Sequence, residues 1–230
     1  MHQNERIAPT LEATPRALVG LFLLLAALGP ACVFDLADVV PAADAGGGGG
    51  NGCASAAAPL DTGNLAANPS FEAGLSGWTG RNGALSRVEP ADVPHGRFVA
   101  RVTYDASISA DSPYSINDAT DTIKSASVAG ATYRATAWVR AAASSPAARN
   151  PDATVAIILK SEKEGSDLGE HEEVPLGACF TKIETFGVAK YDGDSIGVHV
   201  SQYHQVTGDA FDIDLIQVVR ELPDAGGGGS

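Results

Sequence analysis

Aromatic residues make up only 6% of this 230-residue chain, and Lys and Arg total 15 against 28 Asp and Glu, a formal charge of -13. So acidic a protein is repelled by nucleic-acid phosphates and by anionic membrane surfaces, which excludes both as principal partners. A polyanionic polysaccharide is disfavoured for the same reason, unless Arg134 and Arg140 lie together. There are three cysteines and no C-x-x-C, which argues against the common zinc and dithiol redox patterns. H-E-x-x-H does not occur, and no two carboxylates are marked as a glycosidase pair, so the expectation is a non-enzyme. His171 lies in an acidic loop, and His95 and His204 have no evident partners. The glycine run at 46–50 follows no strand and opens no helix, so it is no phosphate cradle.

No convincing amphipathic helix is present, whereas period-two alternation recurs. Phe98, Ala100, Val102 and Tyr104 share one side of a strand over 97–104, with Arg97, Arg101 and Thr103 on the other; Val99 breaks the polar side. Further strands are expected at 122–128, 133–140, 153–160, 180–186, 195–201 and from Phe211 to Ile216. Residues 111–121 and 162–173 read as polar, turn-rich connections. About ten short strands in all predict an all-β fold, an antiparallel sandwich.

The stretch Asn64–Trp78, NLAANPSFEAGLSGW, is a poor helix because of Pro69, Gly74 and Gly77. It reads as a short strand, a turn, a second short strand and a loop, with Phe71 and Trp78 entering the core. In the strand at 133–140, Tyr133, Ala135, Ala137 and Val139 point one way, and Arg134, Thr136, Trp138 and Arg140 the other. A tryptophan between two arginines on a polar face is the strongest hint of binding in the chain. An aromatic plane covers the C–H face of a sugar, and guanidinium groups supply paired donors. In the strand at 195–201, Ile196, Val198 and Val200 point inward. Ser195, His199, Ser201 and, if the strand continues, Tyr203 face outward. The bland alternative is that Trp138 packs beneath a loop and the arginines only solvate the surface.

Asn64-Leu65-x-x-Asn68-Pro69-Ser70-Phe71-Glu72-x-Gly74 with Gly77-Trp78 resembles the opening of carbohydrate-binding modules of the family 4 and 9 type, galactose-binding-like jelly rolls. The strand from Tyr133 to Arg140 resembles that family's central strand. Phe211-Asp212-Ile213-Asp214-Leu215-Ile216 resembles its closing one, with Leu215 where a second aspartate usually stands. The three matches come in the family's order. The resemblance implies an antiparallel jelly-roll β-sandwich over 62–222 and a carbohydrate groove that would bring Trp138, Arg134, Arg140, His199 and Tyr203 together. It also implies a structural calcium held by Glu72 and Asp214 on the first and last strands. The expected partner is a poly- or oligosaccharide bound by a monomer without catalysis. The alternatives are a structural or adhesive surface domain without a sugar site and an accessory part of a glycoside hydrolase system.

Residues 17–28 form an apolar run after Arg16 that ends on Gly29-Pro30-Ala31-Cys32, the pattern of a signal peptide over 1–31. Its end on Cys32 resembles a bacterial lipoprotein signal with that cysteine as lipid acceptor; ordinary secretion is the alternative. Residues 32–61 are expected to be a flexible tether and 223–230 a Gly-rich tail, both disordered. The only membrane link would be the lipid anchor, on a bacterial surface, in the periplasm or outside the cell. With Cys32 lipidated, Cys53 and Cys179 remain as a possible disulfide, against two unpaired thiols.

Overall fold

The structure, a computed structural model, describes Cys53 and residues 58–107, 112–119 and 127–222. The expected signal peptide, Cys32, the tail, most of the tether and residues 122–126 lie outside the described residues. Among the described residues eleven strands form two antiparallel sheets: β1 (Trp78–Arg81), β2 (Gly83–Val88), β3 (Val99–Tyr104), β4 (Tyr114–Asp118), β5 (Thr132–Ala141), β6 (Thr154–Ser161), β7 (Ser166–Asp167), β8 (Val174–Pro175), β9 (Thr181–Val188), β10 (Ile196–Tyr203) and β11 (Ala210–Arg220). One sheet runs β1-β4-β10-β6-β7 with β8 also on β6, and the other β2-β3-β11-β5-β9. This is the expected jelly-roll sandwich.

The core lies between the sheets. Tyr133, Ala135, Ala137 and Val139 of β5 face Val155, Ile157 and Leu159 of β6 and Val198 and Val200 of β10, all buried. Their outward neighbours are mostly polar, with Trp138, Ala156 and Ile158 as exceptions. Phe71 and Trp78 both enter the core, ring centroids 5.8 Å apart, and the Trp78 indole donates to the Asn68 carbonyl at 3.1 Å.

Three local expectations fail. The stretch before Trp78 is turn rather than paired strand, with one bridge at Ala66. Asn68 (φ 48°) and Phe71 (φ 60°) are left-handed, a conformation that breaks the pleat. Asn68 Nδ2 holds the turn by donating to the Gly74 and Ser76 carbonyls. Glu72 is therefore in a turn, not on a strand. Second, part of the turn-rich 111–121 stretch is β4, where Tyr114 and Ile116 are fully buried; flanking Ser and Asn residues hid the strand. Third, Leu215 does not continue the alternation of Phe211 and Ile213. It is left-handed (φ 50°) inside a β-bulge, so Ile216 and Val218 become the inward pair.

The end of the expected tether is also packed. Ala58 N–H donates to the Pro94 carbonyl, and Asp61 N–H to the Gln217 side chain. The disulfide Cys53–Cys179 is present, with Cα atoms 5.3 Å apart, and joins this N-terminal segment to the start of β9. Between β7 and β8 the chain runs along the free edge of β6. Leu168 N–H donates to Leu159 of β6, and its carbonyl accepts from Val188 of β9. One residue thereby bridges the two sheets.

Candidate functional site

The five expected sugar-binding residues are not brought together. Arg134, Trp138 and Arg140 lie on β5 in one sheet, and His199 and Tyr203 on β10 in the other, each set on the outer side of its sheet. The thickness of the sandwich separates them, so no single groove contains both. Alternation within each strand is right; which strands share a sheet is a long-range property that period cannot reveal.

The outer side of the β2-β3-β11-β5-β9 sheet is largely covered. Asp212, Asp214 and Gln217 of β11 point outward yet are buried, beneath the N-terminal segment and the 89–98 connection. Arg140 is buried there too, bonded to Asp92 at 2.8 Å and Asp212 at 3.2 Å, its guanidinium 4.3 Å from the Phe180 ring centre. Arg134 pairs with Glu221, Asp61 and Glu184. Both guanidinium groups are therefore committed to carboxylates and do not flank Trp138 as free sugar donors. Trp138 itself is half-buried, opposite Asp214 on one side and Lys182 on the other.

Glu72 and Asp214 clasp the same piece of chain. Glu72 Oε1 accepts from Arg97 N–H and Phe98 N–H, both at 2.8 Å, and Asp214 Oδ2 accepts from His95 N–H at 2.9 Å. Burial pushes the Asp214 carboxyl up to about 7, and the Glu72 charge adds to it, against hydrogen bonds from Leu215 and His95 that pull it down. Neither carboxylate is in an ion pair among the described residues.

The outer side of the β1-β4-β10-β6-β7 sheet is different. His199, Ser201 and Tyr203 alternate outward along β10. Across the ladders they meet Asn117 and Ser115 of β4, and Ile158, Ala156 and Thr154 of β6. His199 and Tyr203 are half-buried. Burial lowers the His199 pKa, and the positive charges of Lys160 and Arg81 lower it further, against Asp167. Burial raises the Tyr203 phenol, as do Glu173 and Asp167, while a hydrogen bond with Ser201 opposes them. Glu173 accepts from the Thr154 hydroxyl at 2.5 Å. Thr154, directly opposite Tyr203, also lines a shallow depression of about 750 Å³ with Asn150, Pro151, Asp152, His204 and Val206. Thus an aromatic ring, hydroxyls, carboxylates and cationic groups share one surface. Sequence reasoning passed over Thr154, Lys160, Arg81 and Asp167. Alternation in β6 would have found the first two; Arg81 and Asp167 lie in strands too short to show a period.

No protein-family model matches the chain, and no curated protein matches it. Among solved structures it is similar to a cyclase from Fischerella sp. TAU in complex with 4-(1H-indol-3-yl)butan-2-one, at 15% identity and TM-score 0.55, over 72% of this chain and 100% of that one. It is similar to arabinose-bound MgGH51 α-L-arabinofuranosidase at 13% identity and TM-score 0.55, over 69% of this chain and 26% of that one. TmCBM61 in complex with β-1,4-galactotriose aligns at 21% identity and TM-score 0.49, over 70% of this chain and all of the other. At such identities the first two likenesses establish the antiparallel β-sandwich and nothing finer.

Proposed function

We propose that the chain is a non-catalytic carbohydrate-binding module that takes a poly- or oligosaccharide on the outer face of the β1-β4-β10-β6-β7 sheet. The supporting observation is that this face carries half-buried Tyr203 beside Thr154 and the depression it lines, among groups able to donate and accept. A sugar needs an apolar platform with hydrogen-bonding groups around it, and Tyr203 with Thr154, Asn117, His199 and Glu173 offers both. The sandwich likeness to an arabinose-bound enzyme is compatible with this reading. The rival is a structural or adhesive domain, favoured by the low aromatic content of the chain, 6%.

The test is retention on soluble and insoluble glycans by affinity electrophoresis. Tyr203→Ala should abolish retention while keeping the melting temperature, and Trp138→Ala should leave retention intact. Loss with Trp138→Ala alone would move the site to the other sheet, and no retention by the wild type on any glycan would leave only the scaffold.

Three further parts belong to the proposal. Glu72 and Asp214 offer oxygen donors that make no ion pair among the described residues, which suits a structural calcium; the ion would offset their mutual repulsion. The protein works as a monomer outside the cytoplasm, a placement that the Cys53–Cys179 disulfide supports. Cys32 carries a lipid that holds the module on a bacterial surface.

A further inference from the structure

A second group of donors lies on the outer side of the β1-β4-β10-β6-β7 sheet, away from Glu72 and Asp214. Asp118 closes β4, Glu162 follows the last residue of β6, and His199 is on β10; one donor atom from each lies within 4.8 Å of the others. They surround Gly197, the outward residue two before His199. A Cβ on Gly197 would fall 2.2 Å from Glu162 Oε1 and 3.3 Å from Asp118 Oδ1, so the absent side chain is the space the carboxylates enter. Backbone bonds hold the rims: Asp118 Oδ1 accepts from Val198 N–H at 3.1 Å, and Glu162 N–H donates to the Ser195 carbonyl at 3.0 Å. Among the described residues the His199 imidazole makes no hydrogen bond, and neither carboxylate is in an ion pair. Lys160 faces Gly197 across the ladder, and Arg81 lies near His199, yet neither cation pairs with the two acids.

We propose that Asp118, Glu162 and His199 bind a divalent transition metal of the zinc class in the hollow over Gly197. An imidazole with two carboxylates selects such an ion over calcium or magnesium, which take oxygen alone. A zinc ion with bonds of about 2.0–2.2 Å needs donors roughly 3.3–3.6 Å apart in a tetrahedron. The three donor atoms lie within 4.8 Å of one another, so binding the ion requires them to draw together, and the exposed Glu162 side chain is the one freest to move. Three protein ligands leave a fourth position for water or an oxygen of a bound molecule.

The experiment is calorimetric titration of ZnCl2 into the metal-stripped full chain carrying Cys32→Ser, which removes a competing thiol. One zinc per chain should bind, undisturbed by millimolar CaCl2. Glu162→Gln, at an exposed position that preserves folding, and His199→Ala should each weaken binding at least tenfold. Gly197→Ala should do the same by filling the hollow, whereas His171→Ala with His204→Ala should change nothing. Absence of saturable zinc binding, or binding equally tight in Glu162→Gln and His199→Ala, overturns the assignment. Glycan retention is a separate readout on which it does not depend.

Discussion

Arg101 holds Asp212 by two parallel hydrogen bonds, Nε to Oδ1 at 2.6 Å and Nη2 to Oδ2 at 3.0 Å, from the position directly opposite it in the neighbouring strand. Arg140 reaches the same carboxylate from the other side, also directly opposite, at 3.2 Å. The row Arg101, Asp212, Arg140 thus crosses three adjacent strands, and its central carboxylate is wholly buried. Asp212→Ala removes the buried carboxylate that both arginines share and leaves buried Arg140 only Asp92, so it should cost up to about 3–5 kcal/mol in urea denaturation. Arg101→Ala should cost clearly less, because Asp212 keeps Arg140 and Arg101 is partly exposed. Equal costs would mean that the two arginines act as one unit.

Cys53 and Cys179 are 126 residues apart in sequence, and their bridge ties the N-terminal segment over the sandwich. Closing so long a loop stabilises by constraining the unfolded chain, on the order of 4–5 kcal/mol in chain-entropy accounting, and commonly less. Cys179→Ser, or reduction, should lower the unfolding midpoint markedly while the far-ultraviolet signature of the sheets persists at low temperature. Thiol counting on the unreduced, denatured chain should find no reactive sulfur from these two positions.

Asp214 titrates near 7 in the folded protein, against about 3.9 for an unfolded aspartate. A carboxyl that holds its proton more tightly when folded favours the folded state at low pH. That contribution fades as pH rises from about 4 to 7. Asp118 adds a second group of the same sign, also raised to about 7 by burial and by Glu162. In chelator, these two groups should make the protein more stable near pH 5 than near pH 8, by up to on the order of 3 kcal/mol each. Millimolar calcium should recover stability at pH 8 if Glu72 and Asp214 hold the ion, and Glu72→Gln should remove that recovery. An unchanged melt with and without chelator would count against the ion.

The fold was legible wherever alternation ran for six residues or more. In β5 and β10 the inward and outward sets follow directly from period two, whereas β6, a continuous apolar run, and β9 were legible only as strands. β4 was hidden because Tyr114 and Ile116 are its only large apolar residues among Ser, Asn and Asp. The turn before Trp78 was misread because Asn68 and Phe71 take positive φ, a choice that a Phe does not advertise. Leu215 was misplaced by a bulge that alternation alone cannot register. The candidate site was less legible still. Trp138 between two arginines describes a single strand, and the carboxylates that neutralise those arginines come from Asp61, Asp92, Glu184, Asp212 and Glu221, far away in sequence. Pairings of that kind are set by the order of strands in each sheet.

The two tryptophans of the chain should behave as opposites. Trp78 is enclosed against Phe71, and its indole N–H is bonded to the Asn68 carbonyl, so Trp78→Ala removes a core ring and should cost about 3–5 kcal/mol. Trp138 stands half-buried on the outer side of its sheet, so Trp138→Ala should cost roughly 1 kcal/mol, the scale of an ordinary substitution. Iodide quenching separates them without any mutation. One population of fluorescence should be accessible and lost in Trp138→Phe, and the other should be protected until the protein unfolds. If both tryptophans are protected from iodide, the outer side of β5 is sealed more completely than the half-buried ring implies. That result would also remove Trp138 from any account of ligand contact, leaving Tyr203 as the aromatic platform to test.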